Sequence, residues 1–339
     1  MAPRQRPSRL EDVARAAGVH VSTASRVING RGEAAIRPET RERILAAASE
    51  LQYRPNAIAR GLRLASTGTL GLLVPSLRNP VNSSIVRGAF DRAWERDFVL
   101  VLAEDSGESD SAEEAYERLV EEGRIDGLLI QSARLGNRHL ETFSSGLVPC
   151  VFMDRCYPGS GRNVFMRDAE AGRIVASHFV ELGHTRVAHL AGPPELDTVA
   201  RRHDGFVELS RVAGLSPVVL VAALSEEAGY RAMRELLLVP ERPTAVFIAN
   251  INQAFGALAA VREQGLSVPG DLSLVCHDDD PVFAYLDAPL TAIEMPLHEL
   301  GIRAVDALME QIGGEPPRDI EIETPPALVL RHSTGPVPA

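Results

Sequence analysis

The chain has no lysine, only one tryptophan and only three cysteines among its 339 residues. Three cysteines form an odd set, and Cys150, Cys156 and Cys276 lack metal-ligand spacing, so a disulfide framework is not expected. No apolar run approaches the roughly 18 residues of a membrane span, and no apolar signal segment follows the basic residues 1–10. We therefore expect a cytoplasmic protein that contacts no membrane.

Motifs for catalysis, cofactors and metals are also missing from the sequence. It contains no phosphate loop, no Gly-x-Gly-x-x-Gly and no nucleophile elbow. The consecutive carboxylates at 278–280 cannot all converge on one ion from a turn. His178, His184 and His189 have no cysteine or glutamate to complete a metal spacing. We expect no enzyme activity, no cofactor and no metal site.

The net charge of −11 is divided unevenly along the chain. Residues 1–65 carry twelve arginines against six acidic residues, a charge of +6, and the remainder carries −17. A small basic segment on a large acidic body is typical of a nucleic-acid-binding module joined to a part that does not touch nucleic acid. A solvated basic surface is the alternative. At roughly 150 residues per domain, the length indicates two or three domains.

The basic segment predicts three helices in a helix-turn-helix arrangement. Leu10, Val13, Ala14 and Ala17 repeat at helical spacing, and Gly18 ends that helix. A second helix follows over 21–29, and a third over 38–51 begins with proline at its first position. Two short helices around a glycine-containing turn, with a third completing the core, are the layout in which the second helix enters the major groove.

The outward face of the second helix is short and polar, with one long arginine near its end. Such a face lets the backbone approach base edges closely. Its outward residues are Ser22, Ser25, Arg26 and Asn29. Any three-helix bundle with a serine-rich exposed face is the alternative.

Four segments resemble the DNA-binding head of the lactose/galactose-repressor (LacI/GalR-type) family. They are Asp-Val-Ala-Arg-Ala-Ala-Gly-Val at 12–19, Ser-Thr-Ala-Ser-Arg-Val-Ile-Asn-Gly at 22–30, Thr-Arg-Glu-Arg-Ile at 40–44 and Tyr-Arg-Pro-Asn-Ala-Ile-Ala-Arg-Gly-Leu at 53–62. The resemblance continues through nearly the whole chain, to residues 331–334. It implies that Val21, Ser22 and Arg26 read bases. The full predicted DNA-contacting set is Val21, Ser22, Thr23, Ser25, Arg26, Asn29, Asn56, Ala59 and Leu62.

The head departs from this family at two helix starts and in one loop. His20 and Arg37 stand where the family usually has serine, so we expect each helix to lose an N-cap side chain at a cost of about 1 kcal/mol. The stretch between Asn29 and Thr40 is two residues longer than usual.

Residues 55–65 form a second predicted DNA element. The helix that could start at Pro55 is too short to be stable alone, and Gly61 weakens it further. The resemblance implies a hinge helix that folds when two copies meet in the minor groove, where Leu62 wedges between base steps. A flexible linker whose leucine packs on the body is the alternative. The predicted domains are a head at 1–53, a hinge at 54–66 and a body at 67–339.

The body alternates apolar runs with amphipathic stretches, in two series. Predicted strands are 69–74, 98–103, 126–131, 148–153, 186–190, 218–221, 244–249 and 272–276. Predicted helices are 83–96, 112–122, 169–182, 197–213, 226–238 and 253–264. This alternation predicts an α/β body of two doubly wound parallel-sheet lobes, with a ligand near the carboxyl ends of the strands. The resemblance implies the same periplasmic-binding-protein-like body, joined to the small all-α head.

Polar residues near those strand ends are the candidate effector-binding residues. They are Asn79, Asn82, Asp154, Arg201, Arg202, Leu224, Asn250 and Asp278. Arg202 matches the family's Arg-x-x-Gly-Phe, and Ala200 stands at another family arginine, which leaves open whether Arg201 replaces it. Leu224 occupies a position that often stacks an aromatic ring on the ligand. Carboxylates and amides beside arginine suit sugar hydroxyls. Capping of a strand-helix turn is the alternative for each single residue.

Together these features predict a DNA-binding transcriptional repressor. It would act as a homodimer on a pseudo-palindromic double-stranded operator, under the control of a small-molecule effector, a carbohydrate, bound between the lobes. A solute-binding protein with the same body is opposed by the basic head. An α/β enzyme is opposed by the missing catalytic motifs.

Overall fold

The computed structural model describes residues 8–28, 36–53, 66–104, 118–120, 122–131 and 149–338. The chain divides into two compact units, residues 1–67 and residues 68–339. We refer to them as the head and the body.

The head is built from three helices around a small apolar core. They are α1 (Leu10–Ala16), α2 (Val21–Ile28) and α3 (Pro38–Glu50). The core consists of Val13, Ala14, Ala17, Ala24, Val27, Ile44 and Ala47. Arg43 Nε donates a hydrogen bond to the carbonyl of Ala17 at 3.0 Å, which joins α3 to the end of α1. The periodic positions Val13, Ala14 and Ala17 of the first helix are therefore buried, whereas Leu45 of α3, which the helical period also places inward, is 45% exposed.

The helix ends of the head differ from the expectation at one place. Gly18 has φ +62° and ends α1 in the left-handed region, where glycine is favoured. The expected loss of a cap at His20 is wrong, because Nδ1 of its imidazole accepts a hydrogen bond from the backbone N–H of Ser22 at 3.3 Å. Arg37 makes no side-chain cap to α3, as expected.

The body alternates strands and helices over most of its described length. The strands are β1 (Thr69–Val74), β2 (Val99–Glu104), β3 (Gly127–Ile130), β4 (Cys150–Met153), β5 (Asn163–Phe165), β6 (Val187–Ala191), β7 (Val218–Val221), β8 (Ala245–Ile248), β9 (Ser273–His277), β10 (Thr291–Glu294), β11 (Ile320–Glu321) and β12 (Ala327–Val329). The helices are α4 (Pro80–Glu95), α5 (Asp168–Glu181), α6 (Asp197–Val212), α7 (Glu226–Leu238), α8 (Ile251–Glu263) and α9 (Leu297–Ile312), with a short 3-10 helix at Pro281–Tyr285.

These strands form two sheets, one in each lobe. The first has the order β11-β5-β4-β3-β1-β2, and all its neighbours are parallel. The second has the order β12-β10-β9-β8-β6-β7 and is parallel except for β12, which is antiparallel to β10. The strands β3, β4, β6, β8 and β9 are buried along their whole length. Burial on both faces explains their continuous apolar runs. The predicted fold class, a two-lobed parallel-sheet α/β body with an all-α head, is confirmed.

The chain crosses between the lobes three times, and of the elements beside these crossings the sequence patterns predicted only α5. One crossing lies between β5 and α5, the second between β10 and α9, and the third between β11 and β12. The missed strands β5, β11 and β12 have only two or three residues, too few to show a period. Most of the helix predicted at 112–122 lies outside the described residues.

Two glycines set the distance between α5 and α6. A Cβ atom on Gly172 would lie 2.1 Å from the carbonyl oxygen of Arg202, and one on Gly205 would lie 1.9 Å from the carbonyl oxygen of Ala169. Only glycine allows the two helix backbones to approach this closely. The contact holds the middle of α6 against the start of α5.

Candidate functional site

The outward face of α2 is the candidate DNA-contacting surface of the head. Val21, Ser22 and Arg26 are exposed, and Thr23 and Ser25 are partly exposed. On the opposite face Ala24 and Val27 are buried in the core of the head. The helix contains no acidic residue, so its exposed face is suited to the negative potential of DNA.

Four of the predicted DNA-contacting residues lie outside the described residues. They are Asn29, Asn56, Ala59 and Leu62. Their roles stay predictions from the sequence.

In the first lobe, side-chain amides lie just beyond the carboxyl ends of β1 and β3. Asn79 caps α4, because its Oδ1 accepts from the N–H of Val81 at 3.3 Å. Asn82 is buried; its Oδ1 accepts from Nε2 of Gln131 at 2.7 Å, and its Nδ2 donates to the carbonyl of Ser76. Within the described residues, Gln131 Oε1 has no hydrogen-bond partner. Asn82 and Gln131 thus form a buried amide pair with an acceptor to spare.

One aspartate from each lobe follows a buried strand directly. Asp154 follows β4 with φ +69°, and Asp278 follows β9 with φ +66°. Aspartate is one of the few residues besides glycine and asparagine that reach this left-handed region. Burial raises the pKa of Asp154 to about 6, and the charge of Asp168 also raises it. Burial raises the pKa of Asp278 to about 7 against the lowering effect of Arg202, with Asp154 and Asp168 raising it further.

Arg202 is buried, and each of its three nitrogens already has a partner. Its Nε donates to the carbonyl of Thr198 at 3.1 Å, and Nη1 donates to the carbonyl of Ala249 at 2.7 Å. Its Nη2 donates to Oδ1 of Asp168 at 3.0 Å. The guanidinium therefore joins the start of α6 to the end of β8 and the start of α5.

Arg201 reaches from the second lobe to the backbone of the first. Its Nη2 donates to the carbonyl of Asp154 at 3.1 Å, and Nη1 donates to the carbonyl of Met166 at 2.6 Å. Its Nη1 also pairs with Oδ2 of Asp168 at 2.8 Å, and its Nε donates to Asp197 at 3.0 Å. The fully buried Asp168 is thus shared by Arg201 and Arg202.

Asn250 and Leu224 lie on two other loops of the second lobe. Asn250 is buried and caps α8 through its Oδ1, which accepts from the N–H of Gln253 at 2.9 Å. Its Nδ2 has no partner among the residues that the structure describes. Leu224 is partly buried and packs beside Gly192, where a Cβ would lie 2.5 Å from Leu224 Cδ2. Asn250 thus combines the capping role with a donor that the fold leaves unused.

The buried His277 lies next to Asp168 and Asp278, two aspartates of the second lobe. Nε2 of His277 is 3.7 Å from Oδ1 of Asp168 and 3.6 Å from Oδ1 of Asp278. Burial, together with Arg202 and other nearby charges, holds the pKa of His277 well below its usual range. The imidazole is therefore neutral at physiological pH and does not neutralise either carboxylate.

The structure brings Asp154, Arg201, Arg202, Asn250 and Asp278 to the facing ends of the two sheets. Sequence reasoning missed Asp168, His277 and Gln131 beside them. Gln131 directly follows the apolar strand β3, a signal that could have found it. Asp168 offered no such signal, because its partners come 33 and 34 residues later in the chain.

The described residues show neither a metal-binding group nor a membrane-spanning helix. No cluster of three or more histidine, cysteine or acidic side chains suited to a metal occurs there. None of the helices in that part of the chain combines the length and apolarity that crossing a membrane requires.

A two-lobed parallel-sheet body with polar groups at facing strand ends, joined to a helix-turn-helix head, defines the class of ligand-responsive DNA-binding regulators. Residues 9–56 match the model of bacterial regulatory proteins of the lacI family, and residues 176–334 match the periplasmic-binding-protein-like domain. The Ribose operon repressor of Escherichia coli K12 is 32% identical over 330 residues, which cover 96% of this chain and 99% of that protein.

Two solved structures extend the similarity to three dimensions. The Lac repressor dimer bound to operator and the anti-inducer ONPF has a TM-score of 0.86 and 29% identity, covering 97% of this chain and all of that chain. A LacI family regulator from Enterococcus faecium with bound ribose has a TM-score of 0.70 and 26% identity, covering 79% of this chain and 99% of that one.

The chain belongs to the LacI family. It is a DNA-binding transcriptional regulator whose operator affinity is controlled by a small molecule.

Proposed function

We propose that this regulator is a homodimeric repressor whose effector is a sugar bound among Asn79, Asn82, Asp154, Arg201, Arg202, Leu224, Asn250 and Asp278. The observation that carries the proposal is the pair of aspartates, one from each lobe, that follow buried strands with few hydrogen bonds of their own. Directional acceptors of this kind suit sugar hydroxyls. The ribose in the Enterococcus regulator and the name of the Escherichia coli relative support a sugar.

Coupling between ligand and DNA would run through the hinge that we propose at 54–66, between a head at 1–53 and a body at 67–339. A ligand that changes how the lobes meet would change how two hinge segments meet on the operator. We place the protein in the cytoplasm because operator DNA lies there.

A gel-mobility shift at moderate salt tests this proposal against its alternatives. Specific binding to a selected duplex, altered by a sugar, supports the repressor. A solute-binding protein would bind the sugar without a specific duplex. Turnover of any sugar in the same screen would contradict our proposal that the chain is not an enzyme. A thermal-shift screen finds the ligand, because binding raises apparent stability by mass action.

Replacing Arg26 with alanine should relax base preference at one position in each half-site. The exposed guanidinium near the end of α2 can make a bidentate base contact, which would contribute roughly 1–3 kcal/mol. Selection from random DNA measures the change. Arg15→Ala removes the same charge from the exposed surface of α1 and should weaken binding without changing the motif. An unchanged motif in Arg26→Ala would remove Arg26 from base reading.

Replacing Leu62 with alanine should abolish the bend of the operator and weaken specific binding by a few kcal/mol, because the contacts that the bend permits are lost. Leu64→Ala in the same segment is the matched control. Hydrogen exchange provides the direct measurement: amides of 57–63 should exchange fast in free protein and slowly on operator. Protection without DNA would show a preformed helix and contradict the hinge proposal.

A further inference from the structure

The guanidinium donors at the cleft are used by the protein itself, whereas Nδ2 of Asn250 has no hydrogen-bond partner among the described residues. The guanidinium of Arg202 is bound to two carbonyls and Asp168, and that of Arg201 to two carbonyls, Asp168 and Asp197. Neither arginine donates to the side chain of Asp154 or Asp278. A ligand carboxylate or phosphate would therefore have to displace several of these bonds before it could gain a guanidinium.

Several hydrogen-bond acceptors around the cleft, in contrast, have no donor within the part of the chain that the structure describes. No described side chain donates a hydrogen bond to the carboxylate of Asp154, and Nε2 of the neutral imidazole of His277 lies 3.6 Å from Oδ1 of Asp278, beyond hydrogen-bond distance. Gln131 Oε1 is a further buried acceptor without a described partner. Of the Asp278 side chain, 8% remains exposed.

When both aspartates are ionised, the charged groups around them leave one excess negative charge. They are Asp154, Asp168, Asp197 and Asp278 against Arg155, Arg201 and Arg202, with His189 and His277 held neutral by burial. Burial raises the pKa of Asp278, and the charges of Asp154 and Asp168 raise it further. A positive charge between the lobes would relieve this repulsion.

We propose that the effector carries a protonated amine as well as hydroxyl groups, and that the ammonium lies between the carboxylates of Asp154 and Asp278. This inference rests on the proposed function and assigns the chemical class of ligand for the same cleft. An ammonium supplies three donors and one positive charge, so it satisfies one carboxylate from each lobe. Acidic sugars and sugar phosphates are excluded because they meet the same two carboxylates with like charge.

Matched sets of compounds test the proposal on the full chain. Isothermal titration at pH 7.0 uses glucosamine, glucose and gluconate, and the corresponding compounds of galactose and mannose. At least one amino sugar should bind tenfold or more tightly than its neutral parent, and none of the acids should bind. The proposal is overturned if the neutral parents bind as tightly as their amines, if any of the acids binds, or if none of the amines binds.

The pH dependence of binding provides a second measurement. Both carboxylates must be ionised to hold the ammonium, and their raised pKa values keep protons on them at pH 5.5. The affinity of the amino sugar should therefore rise roughly tenfold or more from pH 5.5 to pH 7.0, with release of protons. An affinity that stays flat or falls over this range overturns the proposal.

Neutral variants locate the ammonium. Asp154→Asn and Asp278→Asn keep the side-chain volume and should each bring the amine-to-parent affinity ratio close to one. Asp204→Asn removes an equal charge from the exposed face of α6 and should leave the ratio unchanged. If either cleft variant keeps the wild-type ratio, the proposal is overturned.

Measurements of operator binding distinguish failure of the amine proposal from failure of the proposed repressor function. A neutral sugar that binds as tightly as its amine and alters the gel shift would overturn the amine while the sugar-controlled repressor stands. A chain that binds no selected duplex in any state would overturn the repressor itself.

Discussion

Replacing Asp168 with alanine should lower the free energy of unfolding of the body by about 3–5 kcal/mol. Asp168 is fully buried and pairs with Arg201 at 2.8 Å and with Arg202 at 3.0 Å. Its removal leaves the buried guanidinium of Arg202 without any carboxylate, and an uncompensated buried charge is more costly than the loss of an ordinary contact. Asp168 is also the first residue of α5, where a negative charge stabilises the helix.

Urea denaturation followed by circular dichroism measures this loss in the full chain. The matched control is Glu208→Ala, whose carboxylate pairs with Arg173 on the surface at 3.5 Å and should contribute less than about 1 kcal/mol. Asp168→Asn, which keeps the volume but not the charge, should also be destabilised. A loss below about 1 kcal/mol in Asp168→Ala would show that the carbonyl contacts of Arg202 are sufficient without the carboxylate.

Replacing Asp278 should uncouple the ligand from the operator. Its carboxylate lies at the facing strand ends, in the body, so the operator affinity of the ligand-free protein should stay within about twofold. The ligand should bind roughly 10–100-fold more weakly, because a hydrogen bond to a charged group is lost. A titration of the operator complex with the amino sugar or sugar that gives the largest thermal shift measures both quantities.

Two neighbours of Asp278, and not Asp278 itself, have the capping and ion-pairing roles in this turn. Asp280 caps the 3-10 helix, because its Oδ1 accepts from the N–H of Val282 at 2.8 Å. Asp279 forms two hydrogen bonds with Arg331, at 2.7 and 2.8 Å. Asp280→Ala should therefore cost about 1 kcal/mol of stability with a normal ligand response. Asp278→Ala also places alanine at φ +66°, so Asp278→Asn is the better variant.

A normal ligand titration in Asp278→Asn would remove this residue from the site. Loss of folding in Asp278→Asn would show that its role is structural, since asparagine tolerates the same backbone conformation. Neither result would bear on the proposed contact of α2 with the operator.

Local patterns in the sequence predicted the elements whose physics is local. The inward positions of α2, Ala24 and Val27, follow from the helical period alone, and both are buried. Buried parallel strands have apolar runs, so the residues that end these runs could be placed at one edge of each sheet. Asp154 and Asp278 were found in this way. His20 was misjudged because an imidazole is not a preferred N-cap, although its Nδ1 accepts the hydrogen bond that a serine would.

The sequence by itself determined the two-part organisation, the outward face of α2 and the strand ends where a ligand would meet the body. Only the tertiary structure decided which charges are already paired. Asp168 meets Arg201 and Arg202 because close glycine contacts bring α5 against α6, and no local pattern contains that approach. The arginines expected to hold a ligand are thereby engaged within the protein, while Asp154 and Asp278 keep acceptors for one. Pairing between distant residues is set by packing, which a linear pattern does not encode.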